Sequence, residues 1–174
     1  MAVLQVARLG NPILRQVAKP IDLKTLGEPG DEIQHLIDDM IATMREQDGV
    51  GLAAPQVSTS LQLVVMESAF NERYPEAPTI PLTVLVNPVI TRYSEEQASG
   101  WEGCLSLNDL RGLVPRSKNV TVEYFDRSGK ECTLEAEGFQ AVVLQHEIDH
   151  LHGKVFLDRM TDLSQLSYLE EFET

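Results

Sequence analysis

The residues of this chain with the most chemistry in their spacing are His146-Glu147-Ile148-Asp149-His150. Two histidines four apart share one face of a helix, so both imidazoles can reach a single cation. Glu147, one residue on, can reach a water beside that cation without being a ligand itself. The flanking stretch 139–152 is apolar on most sides, through Phe139, Ala141, Val142, Val143, Leu144, Ile148 and Leu151, which predicts a buried helix. Two histidines and two acids in such a helix are costly unless something satisfies them. A metal ion would do so. The plain alternative is a pair of core histidines held by ordinary hydrogen bonds.

A hydrolytic centre built on two imidazoles needs a third protein ligand and an open position. The extended H-E-x-x-H-x-x-G-x-x-H pattern of metzincin proteases has its glycine at Gly153, but position 156 is Phe156. Thermolysin-like proteases take a Glu well beyond the second histidine, and Glu170 stands 20 residues past His150. Glu170 is close to the chain end, where chains fray. Cys104 lies within Glu102-Gly103-Cys104-Leu105-Ser106. Its thiolate suits a borderline metal, and Gly103 permits an unusual backbone approach. A third segment, Gly49-Val50-Gly51-Leu52-Ala53-Ala54-Pro55-Gln56, has two glycines and small residues, so something can lie close to it. It lacks the Gly-Lys-Ser/Thr ending of a phosphate loop, which excludes that mode of nucleotide binding.

Taken together and in this order, the three segments resemble the signature of the peptide deformylases: G-x-G-L-A-A-x-Q, E-G-C-L-S and H-E-x-D-H. The resemblance runs from the Leu9-Gly10-Asn11-Pro12 region to Gly153. It implies metal ligation by Cys104, His146 and His150, with Glu147 moving the proton. It also implies that the Gln56 side chain and the Leu105 backbone N–H donate to the developing oxyanion. The implied reaction removes the formyl group from N-terminal formyl-methionine of new polypeptides and releases formate. By the same resemblance Gly51 and Gly103 lie beside the peptide backbone, and Val50, Glu102, Phe139 and Val143 border the methionine pocket. Arg111 either holds the fold, most simply through an ion pair, or contacts substrate. The family implies ferrous iron, with nickel, cobalt or zinc able to substitute, one ion per chain; the ligands alone would equally suit zinc. Trp101 before Glu102, and Asn108 where many relatives have Pro, are departures expected to change the pocket rim. Some relatives carry a basic C-terminal helix suited to ribosomal RNA. Here the stretch after Arg159 has no Lys or Arg and carries Asp162, Glu170, Glu171 and Glu173, so any ribosome contact should be transient.

The elements that must position these residues are partly legible. Apolar residues Ile33, Leu36, Ile37, Met40, Ile41 and Met44 follow helical spacing, predicting an amphipathic helix over 31–47. Asp31 caps it, Gln34 is placed to bond back, and Gly49 is a stop. A short helical turn is expected at 13–17. Strands are expected at 61–67 and 82–86, with a proline-bearing surface loop over 71–81 between them. Strands 120–125 and 130–135 flank Asp126-Arg127-Ser128-Gly129 as a hairpin. The order predicts one α+β domain over 1–174: mostly antiparallel sheets around a central buried helix carrying H-E-x-x-H, with the amphipathic helix N-terminal to it.

Composition agrees with a globular enzyme. The 174 residues are 43% hydrophobic, long enough for a core without disulfides. Lys and Arg number 14 against 27 Asp and Glu, a net charge of −13, which argues against stable nucleic-acid binding. Two cysteines make no disulfide framework, and Cys132 reads as a buried strand residue. No stretch approaches the ~20 apolar residues of a membrane helix, and residues 1–10 lack the pattern of a signal peptide. A cytoplasmic location is expected. His35 and His152 read as surface histidines.

Overall fold

The computed structural model describes residues 2–24, 26–27, 31–68 and 78–172. It is a mixed α/β structure with two antiparallel sheets. Five strands form the first, in the order β1 (Gly51–Ala53), β2 (Leu63–Ser68), β3 (Ile80–Tyr93), β6 (Asn119–Phe125) and β7 (Glu131–Glu137). The second holds β4 (Gln97–Cys104), β5 (Leu107–Ser117) and β8 (Leu166–Tyr168), in that order. Among the described residues three α-helices join them: α1 (Glu32–Glu46), α2 (Gly138–Leu151) and the single turn α3 (Leu169–Phe172).

Strand β2 is a near-continuous apolar run because both its faces are covered. Val64 and Met66 join the cluster against α2, with Leu85, Val122, Leu144 and Ile148. Leu63 and Val65 join the cluster against α1, with Ile37, Met40, Met44 and Val86. A strand between two layers loses the polar face that would otherwise alternate with the apolar one. Helix α2 also packs on β5 and therefore touches both sheets. Ten of its residues are buried, among them His146, Glu147, Asp149 and His150.

Several local expectations are corrected. Asp31 caps α1 through Ile33 N at 2.8 Å, but Gln34 exchanges hydrogen bonds with Arg127 instead of bonding back. The left-handed residue after α1 is Asp48, at φ 50°, whereas Gly49 donates its N–H to Met44 O. Strand β3 is longer than expected and begins at Ile80, so Pro81 lies within it; residues 71–77 of the expected loop lie outside the described residues. Pro88 sits where the β3–β6 register shifts, next to Asn87 at φ 50°. A bulge is where a strand can hold a residue with no N–H. Strands β4, β5 and β8 were not expected at all. Cys132 is half-buried rather than buried.

Candidate functional site

Gln56 is held in a 3-10 turn, Ala54–Val57, that continues directly from β1. Its side chain is 1% exposed. Oε1 accepts from Ala53 N–H at 2.8 Å. A backbone N–H can only donate, which fixes the amide orientation and turns Nε2 toward Cys104 Sγ, at 3.5 Å, and Ser106 Oγ, at 3.4 Å. Cys104 ends β4, and the turn after it presents Leu105, whose N–H meets no hydrogen-bond acceptor among the described residues. The N-terminal chain ties the two loops together: Ala7 N–H donates to Gln56 O at 2.7 Å, and Leu9 N–H donates to Ser106 O at 3.0 Å.

Helix α2 brings its pair of histidines to the same point. The ligand atoms of Cys104, His146 and His150 all lie within 4.8 Å of one another, and all three residues are buried. His150 Nε2 is 3.4 Å from Cys104 Sγ. His146 Nδ1 lies 2.8 Å from Glu102 Oε2, leaving Nε2 for the centre. The donor set suits a metal. Two buried polar atoms, Glu147 Oε2 and His150 Nδ1, have no partner among the described residues. Such unsatisfied atoms are unusual in a packed core.

The electrostatics fit a cation site. Burial pushes the Cys104 thiol up, but His150 and His146 outweigh it and hold the thiol well below its ordinary value. Burial also disfavours a charged His146, yet its bonds to Cys104 and Glu102 hold its pKa well above the usual range. Glu147 goes the other way: burial raises its carboxyl, only partly countered by His146 and His150.

Sequence reasoning missed the scaffold behind His146. Arg116, 5% exposed, spans two buried acids. Its Nε and Nη2 donate to Glu102 at 2.8 and 3.0 Å, and Nη1 donates to Asp149 at 2.6 Å. Arg159 donates to Asp149 from the other side. Burial would raise both carboxyls, but His146 and Arg116 hold Glu102, and Arg159 and Arg116 hold Asp149, below the ordinary range. Glu102 therefore lies in the pocket wall with its oxygens already engaged by Arg116 and His146. Nothing in the sequence marked Arg116, since an arginine in a polar strand normally faces water.

The remaining expected residues fall as follows. Val50, Gly51, Gln56, Glu102, Gly103, Leu105, Arg111, Phe139 and Val143 all border one cavity of about 160 Å³, together with Cys104, His146 and Glu147. Val142 and Trp101 border it too. Arg111 donates Nη1 to Leu110 O and Asn108 O. Among the described residues it has no carboxylate at ion-pair distance, so the expected ion pair is replaced by carbonyl contacts. Glu170 is exposed on α3 and is not part of the cluster. Glu173 lies outside the described residues. Phe156, at the position where a metzincin has histidine, is buried and stacks on His146 with ring centroids 6.3 Å apart.

A side chain at Gly51 would intrude on the candidate base. A Cβ there would meet Glu147 Oε1 at 2.5 Å and Cδ at 2.8 Å. Gly51→Ala should therefore displace the Glu147 carboxylate and lower turnover by about 100-fold while Cys104, His146 and His150 keep their metal. Steady-state kinetics beside metal analysis of the same sample checks this; unchanged turnover would show that Glu147 tolerates the shift.

A buried cysteine and two imidazoles around one point, with a carboxylate and a cavity alongside, suit the centre of a metallohydrolase. The family model for polypeptide deformylase matches residues 3–166. "Peptide deformylase 1" of Bordetella pertussis (strain Tohama I) is 46% identical over 165 residues, covering 95% of this chain and 92% of that protein. "Peptide deformylase 2" of Pseudomonas putida (strain KT2440) is 45% identical over 168 residues, covering 97% and 93%. The class I type b peptide deformylase of Acinetobacter baumannii, solved with Met-Ala-Ser bound, superposes with a TM-score of 0.87 at 42% identity, covering 91% of this chain and 99% of that one. The chain belongs to the polypeptide deformylase family, whose members are metalloenzymes.

Proposed function

We propose that this enzyme hydrolyses the formyl amide of N-terminal formyl-methionine on nascent polypeptides, at a metal held by Cys104, His146 and His150. The observation that carries the reading is the convergence of those three ligand atoms within 4.8 Å, beside a buried Glu147. When bound, a divalent ion there would polarise the formyl carbonyl and acidify a water. Glu147 takes the proton from the attacking water and returns it to the methionine nitrogen as the C–N bond breaks, giving formate and a free amine. Gln56 Nε2 and Leu105 N–H donate to the carbonyl oxygen as it gains charge. Strands β1 and β4 each end a sheet, so an extended peptide can add to their free edges beside Gly51 and Gly103. The methionine side chain then fills the space bordered by Val50, Phe139, Val142 and Val143.

The H-E-x-x-H helix is the centre of a single domain comprising the whole chain, a reading supported by its packing on strands of both sheets. Iron(II) is the ion we propose, on family resemblance, with nickel, cobalt or zinc as substitutes. No helix of the described residues is long and apolar enough to cross a membrane. That is compatible with work in the cytoplasm, close to emerging chains and with at most a transient ribosome contact.

Iron-loaded protein should release formate from formyl-Met peptides. Cys104→Ala should lose both the metal and the activity, while Glu170→Ala should keep both. Metal bound without formate release would overturn the deformylase reading; loss of metal in Glu170→Ala would restore the endopeptidase ligand set.

A further inference from the structure

We propose that Trp101 and Phe172 form an aromatic ledge that selects an apolar or aromatic side chain at the second residue of the substrate. The inference rests on the deformylase reading and adds a specificity element to it. Trp101 borders the same cavity as the metal cluster, on the free-edge strand β4, yet is 42% exposed. A lone exposed tryptophan needs no explanation, but a contiguous aromatic patch on a groove wall marks a binding surface. Phe172 packs on it, with ring centroids 4.8 Å apart at 58°, and is itself 38% exposed. Phe172 reaches that point because β8 pairs with β5 through Leu110↔Tyr168, Arg111↔Ser167 and Gly112↔Leu166, and α3 then packs on β5.

Strand alternation says which substrate residue meets the ledge. Glu102 and Cys104 face α2, as their contacts with His146 and His150 demand. Trp101 and Gly103 therefore face the other side. A Cβ on Gly103 would meet Arg111 Nη1 at 2.5 Å, which puts the Arg111 guanidinium on that side too. A peptide added to the β4 edge alternates in the same way. If its methionine enters the space beside Phe139 and Val143, its second side chain points to the Trp101 face. What waits there is two aromatic rings, with a guanidinium alongside that already donates to carbonyls.

The test compares formyl-Met-Leu-Ser with formyl-Met-Ser-Ser, using iron-loaded enzyme. The Leu peptide should have the higher kcat/KM, and Phe172→Ala should cut that preference about fivefold, with Phe172→Tyr restoring it. Trp101 is the chain's single tryptophan, so its emission reports the ledge directly. Met-Leu-Ser product should shift that emission to the blue, and Met-Ser-Ser should not. Formate release at equal rates from both peptides, or a preference untouched by Phe172→Ala, overturns the ledge and leaves the deformylase reading intact. Release from neither peptide overturns the deformylase reading, and the ledge with it.

Discussion

Glu147→Gln should keep the metal bound and reduce formate release by roughly a thousandfold, the usual scale for losing a positioned proton carrier. Glutamine matches glutamate in size, so the contact with Gly51 and the packing of α2 are kept. What changes is chemical. The amide can neither accept a proton from water nor return one to the amine. The carboxylate has the surroundings this role requires. Its Oε2 is buried with no partner among the described residues, so no competing hydrogen bond must be broken before it acts. Burial raises its pKa, which makes it a better base than an exposed glutamate. Metal content by elemental analysis and single-turnover formate release decide the matter together. Full metal with turnover within tenfold of the parent would remove Glu147 from the reaction. Loss of metal would show a structural part instead.

The pieces of this site differ in how far sequence could show them. His146, Glu147 and His150 lie within one turn and a half of a helix, so local spacing alone put them together. The hairpin at Asp126 and the helix α1 were legible for the same reason: each is a local pattern of turn residues or of apolar spacing. Cys104 is distant in sequence from the histidines, and its pairing with them depends on β4 and α2 meeting across two sheets. Fraying near the chain end and the suitability of a thiolate leaned toward it over Glu170, and the resemblance decided between them. Strands β4 and β5 hid because their inward positions include Glu102 and Arg116, while Ser99 and Gly100 give no apolar alternation. Periodicity reads burial through hydrophobicity, and here the buried residues are charged. The Trp101–Phe172 contact is likewise tertiary, made by a chain that returns through β8.

Arg116→Ala should be the most damaging substitution away from the metal, destabilising the fold by about 3–5 kcal/mol. That is a large share of the ~5–15 kcal/mol that holds a typical domain together. The guanidinium is buried and forks between Glu102 and Asp149. Removing it leaves Glu102 with His146 alone and Asp149 with Arg159 alone, both carboxylates still out of water. A chemical-denaturation midpoint measured on metal-free protein isolates this term, since bound metal would mask it by stabilising the folded state. A second effect should appear in the metal-loaded enzyme. Glu102 is what holds His146 Nδ1, and the partners of a metal-ligating histidine typically govern affinity by about 10–100-fold. Arg116→Lys separates the two effects. Lysine keeps a positive charge between the acids but loses the planar fork that meets both oxygens of Glu102. It should recover part of the stability while metal affinity stays low, because His146 is aimed by Glu102's position and not by charge alone. Equal recovery of both would mean that net charge at this point is enough, and that the fork geometry does not aim the histidine.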